Sequence, residues 1–199
     1  MAQAKAKLQV KLTGADYMKL TPPSHRGVRY QLIEGELVKM AGASRAHQVF
    51  IGELYIEVRV QTRALGLGET YLPPFDVYLD EHNTFQPDLM FVSSEQRHII
   101  GDRGVTGAPD VVVEVLSEST RQRDLNVKLP VYVRNAVREA WIADLRLETV
   151  SKYVGDGHTM TLARMYDASD TLTSEAMPGV AIDLGPIFAQ IRGSALPDD

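Results

Sequence analysis

The sequence predicts a small α/β domain with an N-terminal hairpin and a C-terminal antiparallel meander, and three patterns carry that prediction. Residues 45–63 place Phe50, Ile51, Leu54, Tyr55 and Val58 at the spacing of an amphipathic helix, with His47 one turn earlier on the same stripe. Residues 110–116 form a nearly continuous apolar run, as expected of a central strand buried on both faces. The last third alternates β-rich runs with turn residues.

The elements follow in order. Residues 1–12 read as a basic tail, 13–192 as one domain and 193–199 as a C-terminal tail. Thr13 and Asp16 form a capping box that opens a short helix through Tyr17, Met18 and Leu20, ended by Pro22-Pro23. In residues 30–40, two β-rich runs flank Glu34-Gly35-Glu36, which predicts a hairpin. Ser44 caps the long helix, and Gly66 and Gly68 close it. Strands follow at 70–79, broken by Pro73-Pro74, at 88–92 and at 110–116. Residues 117–120 supply caps for a helix carrying Leu125, Lys128, Leu129, Tyr132 and Val133, which Pro130 must kink or restart. A strand at 139–145 precedes a hairpin of 149–154 and 159–166, turned by Gly155-Asp156-Gly157. Short strands near Leu172 and at 180–184 and a helix at 186–191 complete the chain.

The chain contains no cysteine, which excludes disulfides, thiolate metal sites and a cysteine nucleophile. Residues 1–12 lack the apolar segment of a secretory signal, and no run approaches the ~20 apolar residues of a membrane span. A soluble cytoplasmic protein with no membrane partner is expected. The net charge of −5 weighs against tight non-specific nucleic-acid binding, which rests on Lys and Arg. It leaves room for a catalyst that recruits a divalent cation, because the ion brings its own positive charge.

Glu114 is the least ordinary residue, a lone acid inside Val111-Val112-Val113-Glu114-Val115-Leu116. A buried carboxylate is costly unless it is paired or holds a metal. Asp88 opens another apolar strand, and if the two strands are neighbours the two acids share a face. Two such carboxylates repel unless a proton or cation intervenes, and hard oxygen donors favour Mg²⁺ or Mn²⁺. Lys128 lies on the inward stripe of the next helix, from which it reaches toward both acids. Each residue alone also has a plainer reading. Asp88 suits a strand start, Glu114 suits a core Arg or Tyr hydroxyl, and Lys128 has Asp124 four residues earlier.

Several segments together resemble the Uma-type restriction endonuclease family of the PD-(D/E)XK nuclease superfamily. They are Pro87-Asp88, Glu114 to Thr120, Asp124, Lys128 and Tyr132, Glu139-Ala140-Trp141-Ile142-Ala143-Asp144, the run from Tyr30 to Val38, His47, and Pro178 to Leu184. The resemblance implies a restriction-endonuclease-like α+β core, a central mixed sheet flanked by helices. It implies metal binding by Asp88, Glu114 and the Val115 carbonyl, with Glu34 and His47 near the site. A hairpin acid and a satisfied core histidine are the plainer readings of those last two. The family pattern has a lysine two residues after the acid; that position here is Leu116, so Lys128 takes its place.

A Mg²⁺- or Mn²⁺-dependent endonuclease acting on DNA is therefore expected, with Asp88, Glu114, Lys128, Glu34 and His47 in its site. The alternative is a catalytically inactive nucleic-acid-binding or interaction domain of the same fold, with Arg103, Arg121 and Arg123 as a basic patch. A homodimer is expected on the class rule that two-fold symmetry suits cutting both strands.

Overall fold

The computed structural model describes residues 11–20 and 29–193. Pro22-Pro23 and most of the two tails lie outside the described residues. The elements run α1 (Gly14–Leu20), β1 (Tyr30–Ile33), β2 (Glu36–Lys39), α2 (Arg45–Ala64), β3 (Gly68–Tyr71), β4 (Asp76–Asp80), β5 (Asn83–Phe85), β6 (Leu89–Ser93), a 3-10 turn (Ser94–Ile99), β7 (Gly104–Thr106) and β8 (Val111–Val115). A crossover of α3 (Arg121–Arg123), a π turn (Asp124–Lys128) and α4 (Leu129–Arg134) leads to β9 (Glu139–Asp144). Then come β10 (Thr149–Gly155), β11 (Met160–Asp167), β12 (Thr171–Thr173), β13 (Ala181–Asp183) and α5 (Leu184–Gly193).

The architecture is α+β, with mixed sheets flanked by helices, as the sequence predicts. The central sheet has the order β11-β10-β9-β8-β6-β3, parallel only where β8 meets β9. A parallel neighbour requires a crossover, and the α3–α4 segment provides it. A second sheet, β2-β1-β5-β4-β7, carries the N-terminal hairpin. Its turn places Glu34 and Gly35 at φ 51° and 82°, the paired positive values of a type I′ hairpin turn.

Three details differ from the sequence reading. β5 and β7 have only three residues each, too short for periodicity to reveal. The meander ends at β11, because β12 and β13 pair with each other as a separate two-stranded ribbon. Pro130 neither breaks nor sharply kinks the crossover helix. The turn before it widens, with the Leu129 N–H reaching back to the Asp124 carbonyl, so the missing proline donor falls at the first turn of α4.

Alternation along β8 feeds two cores. Val111, Val113 and Val115 pack with α2 and α5, where Phe50 and Phe188 meet at 5.5 Å between centroids. Val112 packs on the opposite face with Met90, Phe85 and Tyr132, between the sheet and the crossover. Glu114, one residue from Val113 and two from Val112, falls on that second face. The Ser44 hydroxyl accepts the His47 N–H at 3.2 Å, which fixes the start of α2 beside the mouth of this region.

Candidate functional site

The strand register brings the two acids together. β6 and β8 are antiparallel, with Leu89 opposite Val113 and Met90 opposite Val112. One step further along the same register sets Asp88 directly across from Glu114, on one face. The backbone closes this junction: the Asp88 N–H donates to the Val113 carbonyl at 2.9 Å, and the Val115 N–H donates to Asp88 Oδ2 at 2.8 Å. Asp88 therefore ends β6 as a clamp on β8. Its other oxygen, Oδ1, lies 3.2 Å from His47 Nε2, delivered by the first turn of α2.

Glu114 is held from the crossover. Lys128 Nζ donates to Oε2 at 2.9 Å, and the Tyr132 hydroxyl donates to Oε1 at 2.5 Å. Lys128 and Tyr132 are one helical turn apart, so both point at the same carboxylate. Lys128 also pairs with Asp124 Oδ1 at 3.3 Å, across the π turn. Both plainer readings of Glu114 and Lys128, a tyrosine partner and a local salt bridge, are present in the same cluster.

Burial pushes the Glu114 carboxyl up to about 7; Lys128 pulls it back, while Asp124 and Asp88 add to the rise. Burial works against the Lys128 ammonium, but Glu114 and Asp124 together raise it above the ordinary lysine value. The Tyr132 hydroxyl is raised well above its ordinary value, first by burial and then by the Glu114 charge. Lys128 is thus a permanent cation at neutral pH, suited to holding charge and not to accepting a proton.

A cavity opens here, lined by Asp88, Glu114, Val115, Asp124, Lys128 and His47 among others. Glu34 is absent from its lining and sits at the hairpin turn, with Arg134 Nη2 at 2.6 Å from its Oε1. That bond holds its carboxyl below the usual range. Arg121 is paired with Asp144, whereas Arg123 lines the cavity. Gln31, Gln86, Arg29 and Lys39 also line it. The sequence reading did not single these four out; its available signal was Gln31, a polar residue at a core-facing position of β1.

Among the described residues no three His, Asp or Glu side chains gather to hold a metal ion. The donors nonetheless fit a magnesium-like ion, which typically takes one or two carboxylates and fills its other positions with water and substrate phosphate. Asp88 and Glu114 supply two carboxylates on one face, with the Val115 backbone beside them.

The family model described as "Uma2: Putative restriction endonuclease" matches residues 15–185. Among solved structures, the crystal structure of "a putative nuclease belonging to DUF820 from Anabaena variabilis ATCC 29413" superposes with a TM-score of 0.73 at 14% identity. The match covers 90% of this chain and 99% of that one, which establishes a shared fold. No curated protein matches the sequence.

Proposed function

The chain belongs to the Uma2 restriction endonuclease family, and from that premise we propose that it is a divalent-metal-dependent endonuclease hydrolysing DNA phosphodiester bonds. The observation that carries this reading is the Asp88–Glu114 pair, set opposite each other with Lys128 on one of them. Asp88, Glu114 and the Val115 carbonyl would hold Mg²⁺ or Mn²⁺. Bound there, the ion would polarise the scissile phosphate and lower the pKa of a coordinated water.

The chain's own residues do the rest. His47 and the Val115 N–H fix the two Asp88 oxygens, so the carboxylate meets the substrate in one orientation. Tyr132 and Lys128 fix Glu114 in the same way. Lys128 brings the positive charge that the family pattern would otherwise supply from the position of Leu116. Its ammonium offsets the clustered carboxylates and stabilises charge developing on the phosphate. The domain is read as residues 13–192, acting as a two-fold homodimer on double-stranded substrate.

One observation favours a second reading, an inactive nucleic-acid-binding domain. Both Glu114 oxygens already have protein partners, and the Lys128 ammonium is shared between two acids.

A cleavage assay on plasmid and oligonucleotide DNA with Mg²⁺ or Mn²⁺ separates the two. Loss of cutting in folded Asp88→Ala, Glu114→Ala and Lys128→Met variants is the expected result. Binding without cleavage by the wild type would establish the second reading.

A further inference from the structure

The cavity has a cationic wall that neither the carboxylates nor their partners use. Arg29, Gln31 and Met40 lie on one face of the β1–β2 hairpin, because Arg29 is bonded across to Met40 and alternates with Gln31. Lys39 stands at the same open end, and Arg123 approaches from α3. All five line the cavity that holds Asp88 and Glu114.

The charges on this wall are uncommitted. Arg121, Arg134 and Arg138 each have an acid partner, whereas Arg29, Lys39 and Arg123 have none among the described residues. A cation left unpaired beside a cluster of carboxylates, in a chain of net charge −5, is arranged for an anion from outside. Deeper on the same face, Gln31 is 5% exposed and its amide oxygen has no hydrogen-bond partner among the described residues. A buried acceptor without a donor is a cost unless a ligand supplies one.

We propose that the open end of the β1–β2 hairpin is the substrate-gripping wall of this site. Arg29 and Lys39 hold a phosphate next to the scissile one, Arg123 holds the phosphate on its other side, and Gln31 accepts a hydrogen bond from the intervening nucleoside. The ligand is a polynucleotide strand of at least three phosphates. The donor to Gln31 is an N–H of the base or a hydroxyl of the sugar. This inference rests on the nuclease reading for the identity of the substrate.

The test is binding in EDTA, where no cleavage occurs, so its outcome is independent of catalysis. Fluorescein-labelled DNA, RNA and abasic oligonucleotides are titrated by anisotropy at several salt concentrations. In a folded Arg29→Ala/Lys39→Ala variant, affinity should fall about ten-fold and the slope of log K against log salt should shrink by about one to two. Arg123→Ala should reduce the slope by about one, and Arg63→Ala, on the exposed face of α2, should leave it unchanged. Gln31→Met should bind several-fold more weakly with the slope intact. A loss seen with DNA and absent for the abasic probe assigns the base, and a loss confined to RNA assigns the sugar hydroxyl. Wild-type salt slopes in the double variant, Gln31→Met binding every probe like the wild type, or a wild type that binds none of the probes would overturn the proposal. A wild type that binds as described and cuts nothing would instead overturn the nuclease reading alone.

Discussion

The Tyr132 hydroxyl lies 2.5 Å from Glu114 Oε1, and both side chains are buried. A phenol that short of a carboxylate fixes its rotamer and supplies a donor where water is absent. Tyr132→Phe removes only that donor. The expected cost is about 1.5–3 kcal/mol, the range for a hydrogen bond to a charged group. Urea denaturation measures it, and an unchanged midpoint would show that Glu114 does not depend on the phenol.

Lys128 is the sole cation paired with both Glu114 and Asp124 among the described residues. Lys128→Met leaves two buried carboxylates facing each other, and breaking a buried pair costs about 3–5 kcal/mol. Cleavage should vanish with it. Leu116 is two residues from Glu114 and shares its face, so Leu116→Lys in the Lys128→Met background should restore part of both stability and cutting. A double variant no better than the single one would show that the charge acts only from the helix.

Glu114 also sets a pH dependence. Its folded carboxyl is raised from 4.5 to about 7, chiefly by burial, so the folded state keeps a proton that the unfolded chain has released. The resulting stability is full below about 4.5 and is lost as pH rises through about 7. Chemical denaturation between pH 4.5 and 8 should show this fall, and Glu114→Gln should flatten it. An equal slope in the variant would place the titration elsewhere.

His47 touches Asp88 from the first turn of α2 and is only half-buried. His47→Ala should leave the fold stable to within about 1 kcal/mol, since the pair is partly solvated. Mn²⁺ affinity, measured by calorimetry, should drop ~10–100-fold, as when the partner orienting a metal ligand is lost. Wild-type affinity would reduce His47 to a packing residue.

Glu34 leads to the opposite expectation. Its bond to Arg134 anchors the hairpin turn to the end of α4, away from the cavity lining. Glu34→Gln should cut DNA as the wild type does and cost no more than about 1 kcal/mol, the usual worth of an exposed pair. A large fall in turnover would bring the turn into the site.

Much of this arrangement is legible in the sequence because it follows from periodicity. The apolar run around Glu114 announces a strand buried on both faces, and the stripe through Lys128 and Tyr132 announces which way they point. The antiparallel pairing of β6 with β8 is a long-range fact, so the opposition of Asp88 and Glu114 is conditional until the register is known. Glu34 shows the limit of pattern. An acid at a hairpin turn reads the same whether it faces a cavity or an arginine one hundred residues away. Gln31 and Arg29 escape notice for a related reason: ordinary residues gain meaning only from the partners they lack.

The widened turn before Pro130 works as a phase setter. An α-helix advances about 100° per residue, so one extra residue in a turn decides which compass direction everything after it faces. With that residue present, Lys128 looks back at Asp124 while sharing Glu114 with Tyr132. Removing the exposed Asn126 would regularise the winding and swing one half of the crossover by about 100° relative to the other. No contact residue would change, yet ammonium and phenol would no longer aim at the same carboxylate. The proline that looks like a flaw in the helix is thus coupled to its angular timing.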